Sequence, residues 1–256
     1  MTSYAGRAPF EIAQVAQSTF GVIGRNFATF LILSLVLAGA PNLIVQVINA
    51  SLPSDATGLQ LRSLVTLVGG LASLVCSALL LASVVTGAIS DLNGRKASLG
   101  EMVSGATAFI PTLAGLAILQ TLAVGLASVL LLVPGLILMT AWVVTTPAVI
   151  VDKSGVFEAF GRSAELTRGN RWAIFSLLLV YFIALAVVSF AGMTVFGGIR
   201  GLMAASTGFH PALIVYNTVL TVLVSMVSAT GTAVIYYELR RVREGVAPRA
   251  LVETFA

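Results

Sequence analysis

Five long stretches of this sequence carry no charged side chain: residues 26–54, 63–90, 102–151, 172–199 and 201–237. No other feature limits the possible folds so strongly. A soluble domain devotes roughly a quarter of its residues to Asp, Glu, Lys and Arg, because its surface faces water. Here those residues are 9% of the chain and apolar residues are 58%. A helix crosses the hydrocarbon core of a bilayer with about 20 apolar residues. Four of the runs fit one crossing each. The run 102–151 fits two, with Val133-Pro134-Gly135 as the turn signal between them. The expected fold is an all-α integral membrane protein with six transmembrane helices, at about 27–48, 64–89, 109–132, 136–151, 172–196 and 213–237. Residues 1–256 are read as a single polytopic membrane domain, since no linker or low-complexity stretch divides them.

The basic residues test the count, because Lys and Arg collect in the cytoplasmic loops of membrane proteins. Six crossings with an inside N-terminus place Arg7, Arg25, Arg95, Lys96, Lys153, Arg162, Arg168, Arg171, Arg240, Arg241, Arg243 and Arg249 inside. Only Arg62 and Arg200 fall outside, a split of 12 to 2. Treating 102–151 as one crossing turns this into 5 against 9, with basic clusters on both faces. Both termini are therefore expected in the cytoplasm. The first apolar run begins only after Glu11, Gln14 and Gln17 and continues through Pro41, which suits a retained helix better than a cleaved signal.

Three short segments with helical periodicity precede crossings that lead outward. Ile12, Ala16, Phe20, Ile23 and Phe27 recur at spacings of three or four within the first, about 9–24. Ser98 and Glu101 form an S-x-x-E capping box at the head of the second, about 98–108. The third, about 154–168, carries Phe157, Phe160 and Ala164 and ends near Gly169. Each has an acid near its start: Glu11, Glu101 and Glu158. The segments are expected to lie in the headgroup layer with their apolar sides down. The resulting pattern is three modules, each an interfacial helix followed by a transmembrane hairpin.

One stretch has a recognisable signature. Val133-Pro134-Gly135-Leu136-Ile137-Leu138 is followed by Pro147-Ala148-Val149-Ile150-Val151, and then by the run from Ala159 through Arg162-Ser163-Ala164-Glu165-Leu166-Thr167-Arg168-Gly169-Asn170-Arg171-Trp172. Together with Tyr236-Tyr237-Glu238-Leu239-Arg240, it resembles a bacterial membrane-domain superfamily. That group includes the membrane domain of glycerophosphoryl diester phosphodiesterases and stand-alone six-span proteins of uncharacterised function. The resemblance implies the fold and an inner-membrane location. It does not imply phosphodiesterase activity, since about 26 residues before the first span and 19 after the last cannot hold the catalytic barrel.

Little in the sequence points to chemistry. Cys76 is the only cysteine and lies in an apolar run, so no intrachain disulfide forms. His210 is the only histidine, and it reads as a polar residue of a short loop. No catalytic constellation, cofactor motif or metal-ligand set is present, and no enzyme activity is expected. Nucleic acid is not an expected partner, because no separate basic domain exists.

Two groups of residues are candidates for binding. Arg162, Arg168, Asn170, Arg171 and Trp172 place guanidinium groups beside an interface aromatic. Arginine forks suit phosphate oxygens, and anionic headgroups attract juxtamembrane basic residues. This loop is either a phospholipid headgroup site or a topology signal alone. Arg240, Arg241 and Arg243 read as the stop signal of the last crossing. Within the membrane, Gln120, Thr121, Thr145, Thr146 and Asn217 are the strongest polar residues, and Pro147 is expected to bend its helix. They line a polar pocket or join helices through hydrogen bonds. Small residues recur every four positions at Gly69, Ser73 and Ser77, and again at Thr221, Ser225, Ala229 and Ala233. Such stripes favour close packing within the bundle or with a second copy.

No carboxylate falls within the crossings, which argues against an ion-coupled pump. The expected function is non-catalytic: lipid or envelope organisation, or assembly of a membrane complex. The expected partners are membrane lipids with anionic headgroups, and a homo-oligomer or membrane-protein partner. A transporter or flippase for a small molecule or lipid is the alternative.

Overall fold

The computed structural model describes residues 10–53, 55–130, 132–195 and 211–245. The expectations resting on Arg7, Arg200, His210 and Arg249 lie outside them. Every regular element among the described residues is helical. In chain order these are α1 (Ile12–Arg25), α2 (Phe27–Ser34), a π-turn (Leu35–Gly39), α3 (Ala40–Ser51), α4 (Ala56–Leu92), α5 (Leu99–Thr107) and α6 (Ile110–Leu130). There follow α7 (Leu132–Ala141), α8 (Thr145–Val151), α9 (Val156–Thr167), α10 (Arg171–Val195) and α11 (Pro211–Glu244).

Helix boundaries follow local chemistry. The Asp55 carboxylate accepts from Gly58 N–H at 2.7 Å and opens α4. That helix closes at Gly94, whose φ of +79° only glycine adopts freely, with Arg95 N–H donating to Ser90 O at 2.9 Å. Before α5, Glu101 N–H donates to Ser98 Oγ at 3.3 Å and Ser98 N–H to the Glu101 carboxylate at 2.9 Å, forming the capping box. Gly169, with φ +91°, turns the chain between α9 and α10.

Among the described residues, five helical stretches are long and apolar enough to cross a membrane: Phe27–Ser51, Ala56–Leu92, Ile110–Ala127, Arg171–Gly192 and Pro211–Glu244. Their middles and one set of ends present apolar side chains outward. Val187 is 63% exposed and Phe190 67%, and Leu67, Leu71, Leu122 and Leu126 are exposed too. In water such surfaces mark an interaction site or aggregation; in hydrocarbon they cost nothing. This is an all-α membrane protein.

The sixth expected crossing, about 136–151, falls on a shorter helical stretch than the other five. Gly135–Val151 is a shorter apolar stretch, interrupted at 142–144 into α7 and α8. The turn expected at Val133-Pro134-Gly135 is corrected. These residues lie in the first turn of α7, where a proline's missing N–H removes no helical bond.

Packing is concentrated at one end of the bundle, where most of the described charged residues also gather. Val15 and Val22 of α1, Phe30 and Leu33 of α2, residues 82–90 of α4, Met102 and Ala106 of α5, all of α8, and 233–239 of α11 are buried there. Glycines permit the closest approaches. A Cβ on Gly39 would stand 2.7 Å from Val222 Cγ2, and one on Gly69 would stand 2.3 Å from Val45 Cγ2. The π-turn thus sets a side-chain-free surface against α11. At Gly192 the Tyr216 ring fills the vacant position, and its hydroxyl donates to Val188 O at 2.8 Å, tying α10 to α11.

Candidate functional site

The interruption between α7 and α8 organises the surrounding residues. Pro147 lies in the first turn of α8 and has no N–H to offer the Val143 carbonyl, so the helix breaks just upstream. A break exposes backbone groups, and in an apolar interior each unmatched one is costly. Helix α9 supplies the partners. Ser163 Oγ donates to Ala141 O at 2.8 Å and accepts from Val144 N–H at 3.3 Å. Thr167 Oγ lies 3.3 Å from the same Ala141 carbonyl. From the other side, Thr145 Oγ donates to Gln120 Oε1 at 3.0 Å or Trp142 O at 2.9 Å, and Gln120 Nε2 reaches Trp142 O at 3.4 Å. The Trp142 ring packs on Phe160 with centroids 4.6 Å apart. Gln120 and Thr145 are thus brought together, while Asn217 stands apart and makes no hydrogen bond among the described residues.

Beside this clasp lies a cavity of about 650 Å³ between α4, α6, α7, α8 and α11. Ser77, Gln120, Thr121, Thr146, Ser225 and Ser228 supply its polar wall. Leu80, Leu81, Leu113 and Leu116 supply much of the rest. Ser77, Ser225 and Ala229, small residues of the two expected stripes, line the space.

At the charged end, α9 and α11 share a network of ions. Arg162 Nε donates to Asp152 at 3.0 Å, and another guanidinium nitrogen contacts Glu244. Arg240 meets Asp152 at 3.3 Å and Glu244 at 2.8 Å, and donates to the Tyr236 hydroxyl at 3.3 Å. Burial opposes the charge on Arg162, yet its bonds to Glu244 and Asp152 outweigh that and hold its pKa above the ordinary arginine value. Arg241 joins Glu238 at 2.9 Å and Gln14 of α1 at 3.1 Å. Across the bundle, Arg25 grips Asp91 at 2.9 and 2.6 Å, and Asn26 adds a bond to the same carboxylate at 2.8 Å. The Asp91 bond raises the Arg25 pKa.

The five candidate headgroup residues therefore divide. Arg162 is committed to carboxylates. Arg168, Asn170, Arg171 and Trp172 stand at the Gly169 corner, where Arg243 of α11 arrives and donates to the Arg168 carbonyl. Gly169, Asn170, Val242 and Arg243 line a cavity of about 500 Å³ there. Arg168, Arg171 and Arg243 have no carboxylate partner among the described residues, and Trp172 is 83% exposed. Sequence reasoning passed over Asp152, Glu244, Ser163 as a backbone partner, and the polar seam Asn42, Gln46, Asn49 and Thr66 between α3 and α4. The rarity of acids was the available signal: Asp152 and Glu244 are two of ten.

Fold and site together define a helical membrane protein with an interrupted, clasped helix and a basic corner. A family model described as Domain of unknown function (DUF7847) matches residues 83–239, and the chain belongs to that family. The match contains the α7–α8 break, the α9 clasp and residues 168–172 of the Gly169 corner, while Val242 and Arg243 lie beyond it. A UPF0259 membrane protein of Pectobacterium carotovorum subsp. carotovorum (strain PC1) is 30% identical over 116 residues, 45% of this chain and 46% of the relative. The similarity thus spans about half of that curated relative's length. No solved structure matches the chain.

Proposed function

We propose that this protein is a non-catalytic component of the bacterial inner membrane that organises lipid at the cytoplasmic leaflet. The carrying observation is the Gly169 corner: Arg168, Arg171 and Arg243 lack carboxylate partners among the described residues beside the exposed Trp172, whereas Arg162 and Arg240 are neutralised. Anionic headgroups supply the missing countercharge at about 1 kcal/mol per basic residue. Bidentate phosphate contacts add geometric selectivity. In this reading Arg162→Lys lowers stability and leaves lipid retention intact. Arg168→Lys with Arg171→Lys does the reverse, reducing the anionic lipid seen by native mass spectrometry while topology and stability persist. Equal lipid retention by wild type and the double lysine variant would leave these arginines as topology signals.

The reading includes six crossings, both termini in the cytoplasm, and three modules of short helix plus hairpin. Support comes from the return of the α6–α8 run to its starting end. A Cβ on Gly115, near the start of α6, would lie 3.7 Å from Val156, and Asp152, just after α8, pairs with Arg162 and Arg240. In a Cys76→Ser background, Lys96→Cys and Gly161→Cys should resist an impermeant thiol reagent, and Gln60→Cys and Ala212→Cys should react. Labelling of Gly161→Cys from outside overturns the six-crossing topology. Relationship to the phosphodiesterase membrane domain belongs to the same proposal and carries no catalysis with it.

A transporter or flippase is the second reading, favoured by the 650 Å³ cavity. Protein-dependent flux in proteoliposomes separates it from the first.

A further inference from the structure

We propose that the cavity between α4, α6 and α11 binds a neutral glycerolipid with a free hydroxyl, of the diacylglycerol class. The site is distinct from the basic corner and goes beyond the headgroup reading. Its depth is the first argument. Ser77 and Ser225 stand near the mid-length of α4 and α11, the two longest helices described, so the cavity opens at the level of acyl chains. Its size, about 650 Å³, falls within the range of small-molecule sites, roughly 300–1,000 Å³.

The wall chemistry selects the occupant. Among the described residues no charged side chain lines the cavity, so an ionised headgroup there would lack a counterion, at a large desolvation cost. A bare hydrocarbon chain fits the leucines but wastes the polar wall. Thr121 Oγ and Ser225 Oγ make no hydrogen bond among the described residues. Gln120 has its Oε1 within reach of Thr145, but its Nε2 makes only one long contact, at 3.4 Å, leaving an N–H uncommitted. Unmatched donors facing hydrocarbon are unfavourable, and ester carbonyls with one hydroxyl would match both donors and acceptors. Leu80, Leu113 and Leu116 then receive the chain.

Dioleoylglycerol titrated into the purified protein, followed by native mass spectrometry, tests the assignment. Thr121→Val with Ser225→Ala removes two hydroxyls with little change of shape, and should weaken dioleoylglycerol binding by about threefold per hydroxyl. Ser225→Leu fills the space and should abolish the adduct. Both variants should retain dioleoyl phosphatidylglycerol like wild type, since that lipid is assigned to the arginine corner. Conversely, Arg168→Lys with Arg171→Lys should leave dioleoylglycerol binding unchanged, so the two sites fail separately. Should Ser225→Leu misfold, the polar-deletion pair still decides. Absence of the adduct in wild type, or undiminished binding by the Thr121→Val/Ser225→Ala pair, overturns the assignment.

Discussion

Replacing Ser163 with alanine removes one oxygen atom and should destabilise the whole protein. Ser163 is fully buried, and its hydroxyl serves both sides of the α7–α8 break, donating to Ala141 O at 2.8 Å and accepting from Val144 N–H at 3.3 Å. In Ser163→Ala, the Thr167 hydroxyl, which also reaches Ser163 O at 2.9 Å, can turn its single proton to Ala141 O at 3.3 Å, so that carbonyl retains a donor within reach. The Val144 N–H keeps none in a fully buried position. An orphaned buried donor costs about 1–3 kcal/mol, and loss of the second bond adds about 1 kcal/mol. The expected total is about 2–4 kcal/mol. For a protein of this size, about 1 kcal/mol moves Tm by roughly 2–4 °C, so thermal unfolding in detergent should fall by at least about 4 °C. Ser176→Ala is the control, because among the described residues the Ser176 hydroxyl bonds the Trp172 carbonyl of its own helix alone, at 2.9 Å on an exposed face. It should change stability by less than about 0.5 kcal/mol. Adding Thr167→Val to Ser163→Ala should cost more than the sum of the single changes, since each hydroxyl backs up the other at Ala141. A Ser163→Ala protein melting within a degree of wild type would refute the idea that α9 holds the break.

Three further outcomes are expected. Asp152→Asn withdraws a carboxylate shared by Arg162 and Arg240; because these side chains are partly solvated, the loss should be about 1–2 kcal/mol, read as a lower Tm. Phe157→Asp puts a charge on a ring that is 81% exposed and assigned to the headgroup layer, and should lower yield in the membrane fraction, whereas Phe157→Leu should not. Glu101 is held below the ordinary glutamate pKa first by the Ser98 backbone N–H and then by Arg95. Its contribution is therefore present above the ordinary value and lost as pH falls through the lowered one. The Tm deficit of Glu101→Gln should accordingly be seen at pH 7 and vanish in strong acid.

Much of the helical plan was legible because charge is so scarce. Each charge-free run had to be helical in hydrocarbon, where the backbone must satisfy itself. Local signals placed some ends: the Ser98–Glu101 box opens α5, and Gly169 turns the chain after α9. The interruptions were less legible. The π-turn at Leu35–Gly39 has an apolar sequence with no polar marker, and its close contact with Val222 involves a residue almost two hundred positions away. Pro147 did announce an irregularity. However, the position of the break rests on partners about twenty residues to either side, Gln120 before it and Ser163 after it. Proline permits such a break, and tertiary hydrogen bonds decide where it lies.

The candidate site followed the same division. Grouping arginines by position put Arg162 with Arg168 and Arg171, because spacing along the chain carries no information about acids arriving from another helix. The last turn of α11 brings Glu244 to Arg162 and Arg243 to the Arg168 carbonyl, so one turn of helix sorts the loop into a neutralised half and a cationic half. That sorting has a mechanical consequence. Asp152 follows α8 directly and Arg162 lies on α9, so the ion cluster fastens both elements that the Ser163 clasp also joins. The break in the helix and the geometry of the basic corner are therefore not independent. A change that loosens Ser163 from Ala141 lets α9 shift, and with it the Arg168 carbonyl that receives Arg243. Ser163 should accordingly act on the corner as a positioning residue, through α9.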